Sequence, residues 1–304
     1  MIYMGKKTKI IVTGGAGFIG SNIVDKLIEM GHTVIVIDNE STDAHENFYW
    51  NDAAQNYKID ICDYDAIKPL FKDVEYVFHL AAEARIQPTL ENPILATQTN
   101  AVGTCTVLQC AKEAGVKRVI YSSTSSAYGL KNAIPNEETM PKDCLNPYSV
   151  TKTCGEELCQ MYTDLFGLET VIFRYFNVYG HRQPMKGQYA PVIGIFLRQK
   201  AEGKKLTIIG DGEQRRDFTN VEDVVKANIL AAHAENKLVV GELLNIGSGQ
   251  NYSVLEIAEM IGAEHTFVPP RLGEARESLA NIQKAKSLLK WNPTVKLVEW
   301  LKDR

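Results

Sequence analysis

The sequence predicts a doubly wound α/β fold: a parallel sheet with helices on both faces, carrying a smaller α/β lobe. Three observations predict it. Apolar runs of strand length recur along the first 175 residues, helical periodicity fills the spaces between them, and a glycine-rich turn follows the first run directly.

The runs are KIIVT (9–13), TVIVI (33–37), YVFHL (76–80), RVIYSS (118–123) and TVIFR (170–174). They are apolar on both sides rather than alternating, as strands covered by helices on both faces must be. Between the first two, Phe18, Ile19, Ile23, Leu27 and Ile28 recur at helical spacing. Two long helical patterns, 92–114 and 148–166, carry Val102, Cys105, Val107 and Leu108, and Leu158, Met161, Tyr162 and Leu165. Such stripes suit either intramolecular core or self-association. After about residue 180 the pattern loosens into a loop (HRQPMKGQYAP), a helix (192–202), a short strand (LTIIG) and GDGEQRRDF. No linker rich in Gly, Ser or Pro and no repeat separates the halves. Domains are therefore expected at 1–179 and 180–304, and the helical pattern of 221–235 leaves open a return of segment 220–246 to the first.

Composition narrows the partners. The 304 residues hold 33 Lys and Arg against 37 Asp and Glu, a net charge of −4 with no long run of one sign, which argues against nucleic acid or an anionic membrane as partner. The longest apolar stretches fall far below the roughly 18 residues of a membrane span. MIYMGKKTK has no apolar core behind its lysines, so a cytoplasmic protein is expected. The six cysteines include no C-x-x-C pair and are expected as free thiols; the six histidines show no ligand spacing, so no metal is expected.

TGGAGFIGSN is the first motif with chemistry. Gly14, Gly17 and Gly20 form G-x-x-G-x-x-G, and Gly15, Gly17 and Gly20 also satisfy G-x-G-x-x-G. Missing Cβ atoms let the turn tighten, a pyrophosphate approach the backbone, and the helix lie close on the strand, whose N-terminus then faces the phosphates. Asp38, 18 residues past Gly20 at the end of the second strand, is placed to accept a bond from the adenosine ribose and to repel a 2′-phosphate. The expected cofactor is NAD. Asp60 and Ile61, just after the third strand of such a sheet, would sit by the adenine.

The second motif lies where the nicotinamide should be. The run RVIYSS leads into Thr124, and NPYSVTK places Tyr148 four residues before Lys152, on one helix face. The lysine cation can favour the tyrosinate. Moving a phenol from about 10 towards 7 takes roughly 4 kcal/mol, which Lys152 and an oxidised nicotinamide could share. Tyr148 would take a hydroxyl proton while hydride leaves the same carbon, with Thr124 bonded to the reacting oxygen.

At these residues the chain resembles the extended short-chain dehydrogenase/reductase family, in its NAD-dependent nucleotide-sugar epimerase/dehydratase branch, and is most similar to 4-epimerases of UDP-glucose and UDP-N-acetylglucosamine. The resemblance runs nearly the whole length, through TGGAGFIG, HLAA (79–82), SSTSSAYG (122–129), PYSVTK (147–152), RYFNVYG (174–180), GDGEQRRDFTNVEDV (210–224), NIGSG (245–249) and RLGEARESLANIQKA (271–285). It implies a Rossmann domain that holds NAD through the three glycines, Phe18, Ile19, Asp38, Asn39, Asp60, Ile61, Leu80, Ala81, Ala82, Asn100, Ser122, Tyr148, Lys152 and Tyr175. It implies that Thr124, Asn177, Arg216, Arg271 and Arg276 bind a nucleotide-diphosphate sugar, that Ser278 stands at a sugar-pocket gate, and that the two long helices form a homodimer interface.

The reaction follows from what stands after Thr124. Dehydratases of this branch carry an acidic pair there and UDP-glucuronate decarboxylases a glutamate, whereas this chain has Ser125 and Ser126. Serine is too weak an acid to expel a C6 hydroxyl. That leaves 4-epimerisation: oxidation at C4, rotation of the 4-keto sugar, and return of hydride to the opposite face. The small Ser278 leaves room for a 2-acetamido group. Glu83, where relatives carry a neutral residue, reads as a solvated loop carboxylate or as an extra acid/base facing the sugar. Alternatives on the same fold are a dehydratase, decarboxylase or reductase, or a non-catalytic NAD-binding sensor; the sensor would not need Thr124, Tyr148 and Lys152 together.

Overall fold

The computed structural model describes residues 7–41, 47–186, 190–269, 276–302 and 304. Its elements in chain order begin with β1 (Lys9–Thr13), α1 (Phe18–Glu29), β2 (Thr33–Asp38), β3 (Gln55–Lys58), α2 (Tyr64–Ile67) and β4 (Tyr76–His79). Then come α3 (Ile86–Glu91), α4 (Pro93–Thr97), α5 (Thr104–Glu113), β5 (Arg118–Thr124), α6 (Pro147–Phe166), β6 (Glu169–Tyr175) and β7 (Val178–Tyr179). The rest is α7 (Val192–Ala201), β8 (Leu206–Ile209), β9 (Arg215–Asp217), β10 (Thr219–Asn220), α8 (Val221–His233), β11 (Leu243–Ile246), β12 (Asn251–Ser253), α9 (Val254–Ile261), β13 (His265–Val268), α10 (Gln283–Leu289) and α11 (Leu297–Lys302).

Seven parallel strands form the main sheet in the order β11-β6-β5-β4-β1-β2-β3. The order reverses between β1 and β4, and that switch point opens a crevice at the carboxyl ends of the strands. Ile10, Ile11, Val12, Val77, Phe78, Val119 and Ile120 are fully buried between two helical layers, so each apolar run could form only a central strand. β3 escaped the apolar pattern because QNYK is a mostly exposed edge strand. The expected helix over 92–114 is interrupted: α4 and α5 are joined by a π-turn, Gln98–Gly103, where Asn100 turns its amide inward.

The chain crosses between two cores. α8 packs with α1, and β11 extends the main sheet, so segment 220–246 joins the first core; Ala280, Ile282, Leu289 and Trp291 join it too. The second core gathers Tyr179, Ile193, Phe196, Leu206, Ile208, Ile257, Leu297 and Leu301 around the two-stranded pairs β7/β10, β9/β12 and β8/β13. No helix of the described residues is long and apolar enough to cross a membrane. The long-helix stripes divide: Val107, Leu108 and Tyr162 are buried in the first core, whereas Val102 and Leu165 are 53% and 70% exposed.

Asp217 fastens the second lobe to the first. Fully buried, it accepts from the Ser248 amide at 2.6 Å, the Ser248 hydroxyl at 2.7 Å, the Gly249 amide at 3.0 Å and the Ala280 amide at 3.1 Å. Removing the carboxylate strands several donors away from water. Asp217→Ala should lower unfolding free energy by about 3 kcal/mol, read as a shifted midpoint in urea titration; a change below about 0.5 kcal/mol would contradict this role.

Candidate active site

A cavity of about 760 Å³ runs along the switch point from the glycine turn to Ser278. At its first end Gly14 holds φ +67°, and a Cβ on Gly20 would stand 2.1 Å from the Gly14 carbonyl oxygen. Only glycine allows this approach of α1 to the turn. No side chain caps the N-terminus of α1 and no acidic residue stands in its first turn, so its positive end is left for an anion. Asp38 reaches across from β2, accepting from the Ala16 amide at 3.1 Å and the Glu40 amide at 2.9 Å, and burial raises its pKa against those bonds. Gly17, Phe18, Ile19, Asn39, Ile61, Leu80, Ala81 and Ala82 line the same end. The cradle a Cβ would fill, the open helix end and the braced carboxylate together fit a dinucleotide.

Two expected cofactor residues stand behind the wall instead. Asp60 accepts from the Asn39 amide at 3.1 Å and the Cys62 backbone at 2.8 Å, and so orients Asn39. Asn100 is fully buried; it accepts from the Glu83 amide at 2.8 Å and donates to the Glu83 carbonyl at 3.1 Å and to Thr151 at 3.0 Å. Glu83 is not a solvated loop carboxylate: it is 8% exposed, accepts from the Ser41 hydroxyl at 3.2 Å, and does not line the cavity.

At mid-cavity, local sequence fixes the reacting groups. Asn146 caps α6 by accepting from the Ser149 amide at 2.9 Å, the Ser149 hydroxyl accepts in return from the Asn146 amide, and Pro147 takes the first helical position. Tyr148 thus begins the helix and Lys152 follows one turn on; both line the cavity with Thr124 and Ser122. The Thr124 hydroxyl lies near enough to the Tyr148 phenol to oppose the effect of its burial, and Thr124 accepts from the Ser126 amide at 3.1 Å. Tyr175, joined to Ser122 and Asn228 by bonds of 3.1 Å and 2.8 Å, closes the floor.

The electrostatics differ from expectation. Burial raises the Tyr148 pKa, opposed by the Thr124 bond and then by the charge of Arg85, which lines the cavity beside it. Lys152 is 2% exposed, and its ammonium stands 4.3 Å from the centroid of the Tyr121 ring. Burial lowers it to about 7, with Cys159 and Glu156 opposing. Arg85 is thus a further cation near Tyr148, and one that no sequence motif marked. Nothing in EARIQPT announces an arginine at φ +91°, a backbone region that sequence reading assigns to glycine or asparagine.

At the far end Asn177, Arg216 and Ser278 line the cavity, with Ser125 and Ser126 nearby. Asn177 donates to the Asp217 carbonyl at 3.0 Å, and Arg216 to the Arg215 carbonyl at 2.9 Å. The Ser278 hydroxyl is buried with no hydrogen-bond partner among the described residues. Arg276 does not line the cavity; its guanidinium forks onto Asp211 at 2.7 and 2.9 Å. Arg271 lies outside the described residues. Among the described residues, no three His, Cys, Asp or Glu side chains gather as a metal would require.

Comparison with known proteins agrees with this arrangement. The model of the NAD dependent epimerase/dehydratase family matches residues 10–247. A putative UDP-glucose 4-epimerase of Methanocaldococcus jannaschii is 40% identical over 301 residues, 96% of each chain. The crystal structure of a UDP-glucose 4-epimerase with UDP-glucose from Thermotoga maritima superposes with a TM-score of 0.91 at 39% identity, covering 97% of this chain and 96% of that one. A UDP-N-acetylglucosamine 4-epimerase from Methanobrevibacter ruminantium in complex with UDP-N-acetylmuramic acid gives 0.91 at 33% identity, covering 98% and 97%.

Burial of Lys152 makes stability depend on pH. Its folded pKa of about 7 lies below the unfolded value near 10.4, so between them the unfolded chain binds more protons and stability rises with pH. In melts of cofactor-free protein, the stability of the native chain relative to Lys152→Met should rise by on the order of 3 kcal/mol from pH 7 to pH 10. Parallel pH profiles for the two proteins would refute it.

Proposed function

The chain belongs to the NAD dependent epimerase/dehydratase family, and from that premise we propose that it is a nucleotide-sugar 4-epimerase of UDP-linked glucose and galactose and of their 2-acetamido counterparts. The observation that carries the reading is Tyr148 beside Thr124, with Lys152 one helical turn on, all lining one cavity that reaches from the glycine turn to Arg216.

NAD, when bound, supplies a hydride acceptor at C4 and a donor for its return. Gly14, Gly17 and Gly20 and the open end of α1 hold its pyrophosphate, and Asp38 holds its adenosine ribose. Tyr148 takes the proton from the C4 hydroxyl and later gives it back, while Thr124 fixes the reacting oxygen by hydrogen bonding. Lys152, buried one turn along the same face, positions the cofactor and adds positive charge below the reacting centre. Arg216, with Arg271, anchors the sugar's diphosphate, which suits a pocket that must let the sugar turn. Ser125 and Ser126 put no acid directly after Thr124, which favours epimerisation over dehydration.

The lobe of residues 1–179, joined by segment 220–246, carries the cofactor and the remainder of 180–304 gathers round the sugar nucleotide, and exposed Val102, Val150, Leu165 and Phe166 suit a helical interface with a second copy of the chain. Six unpaired cysteines suit the reducing cytoplasm.

Two measurements test this reading. Tyr148→Phe should lower interconversion of UDP-glucose and UDP-galactose by about 10³-fold while NAD still co-purifies; retained turnover would remove Tyr148 from its role. Because Ser278 is small and its hydroxyl has no partner among the described residues, UDP-N-acetylglucosamine should turn over within about tenfold of UDP-glucose, and no measurable turnover would sink the predicted room beside C2.

A further inference from the structure

Behind Lys152 stands Tyr121, a fully buried residue of β5 that does not itself line the cavity. Its hydroxyl donates to the Lys152 carbonyl within α6 at 3.0 Å, and its ring centroid stands 4.3 Å from the Lys152 ammonium. One side chain thus touches both ends of the lysine. Gly155, three residues on, makes room for this approach, since a Cβ there would stand 2.1 Å from the Tyr121 hydroxyl. Glycine inside a helix is otherwise unfavourable, so the close packing of the phenol on α6 gives that residue its use.

Tyr121 is itself pinned. The His79 ring on β4 lies 5.6 Å from it, centroid to centroid, and both imidazole nitrogens are engaged, with Thr13 at 2.6 Å and Thr104 at 2.9 Å. The Thr104 hydroxyl donates to the Asn100 carbonyl, so it accepts from Nε2 of His79 and leaves Nδ1 to accept from Thr13. Contacts therefore run without a break from Thr13, where the glycine turn begins, to the ammonium.

The other groups around the ammonium offer it no unshared anion among the described residues. Burial, and then the charge of Lys152, lower His79 to about 3 and so keep it neutral. Burial raises the Cys159 thiol and the Tyr148 phenol, and Glu156 is forked by Arg174 at 2.8 Å with Lys142 at 3.4 Å. Arg85, on the cavity wall, is a further cation. An ammonium so placed is favoured by the negative face of an aromatic ring. We propose that Tyr121 is a positioning residue of the reaction: its hydroxyl fixes the helix turn that carries Lys152, and its ring keeps the ammonium charged beside Tyr148. The inference rests on the 4-epimerase reading for the use made of that charge.

The test sets Tyr121→Met, which removes the ring face, beside Tyr121→Phe, which keeps it and drops only the hydroxyl. In cofactor-free protein, urea unfolding of each chain relative to the same chain with Lys152→Met, from pH 5 to pH 10, follows the titration of Lys152 without any turnover. Loss of the ring disfavours the charged form. The pH at which this stability difference begins to rise should therefore fall by about one unit in Tyr121→Met and stay within about 0.3 unit of native in Tyr121→Phe. In the NAD-loaded enzyme, the alkaline limb of kcat/KM for UDP-glucose should move down by about one unit in Tyr121→Met and hold its place in Tyr121→Phe, whose kcat falls about fivefold with little change in KM. An unmoved onset in Tyr121→Met, with kcat lowered equally at every pH, overturns the inference, because Tyr121 then only fills the core. If Tyr121→Met does not fold, phenylalanine carrying successive ring fluorines at position 121 decides. It keeps the shape while draining the negative face, so the onset should fall with each fluorine, and a flat series overturns the inference. Absence of turnover in the native chain would count against the 4-epimerase reading and leave the unfolding series to decide the role of Tyr121.

Discussion

The close approach of α1 to the turn after β1 is the constraint on which the rest of the molecule depends. With a Cβ on Gly20 only 2.1 Å from the Gly14 carbonyl, any other residue would push the helix away. Because it stays, the uncapped end of α1 points into the switch-point crevice, and the Ala16 amide comes within reach of Asp38. The end of β4 closes on the same turn, since a Cβ on Gly14 would meet the Ala81 amide at 2.7 Å. One backbone feature thus orients the helix dipole, the ribose carboxylate and the wall that leads to the reacting groups.

Those groups are held in conditions that serve chemistry more than stability. Tyr148 is a neutral phenol, Lys152 sits at about 7 against the Tyr121 ring, and the half-buried Arg85 stands beside them on the cavity wall. Elsewhere the fold pairs buried charges or ties them to amide and hydroxyl donors: Arg174 forks onto Glu156 at 2.8 Å, Arg118 pairs with Glu169 at 2.7 Å, and Asp217 accepts from Ser248, Gly249 and Ala280. Titratable groups with shifted pKa values gather in the cavity, where a ligand can complete them.

How much of this was legible in the sequence depended on whether a residue's neighbours are local. Apolar runs buried on both faces could form only central strands, and the glycine turn, Asp38 and the Asn146–Pro147 cap act within a few residues or at a fixed strand spacing. β3 was hidden because an exposed edge strand need not be apolar, and the π-turn because nothing local interrupts the pattern of 92–114. Side chains whose partners are distant were the least legible. Arg276 is turned onto Asp211, Asn100 and Asp60 brace the wall from behind, and Glu83 is buried under Ser41. Arg85 was invisible for the complementary reason, since its role arises from a backbone conformation that its residue type disfavours.

The central claim is that one closed site oxidises and restores the same carbon. Following UDP-glucose deuterated at C4 through conversion to its C4 epimer, by mass spectrometry and NMR, tests it most directly. The account predicts that the deuterium stays at C4 of the product, with none lost to water and no added cofactor consumed. Exchange of the label with solvent, or loss of it in proportion to added cofactor, would contradict the account.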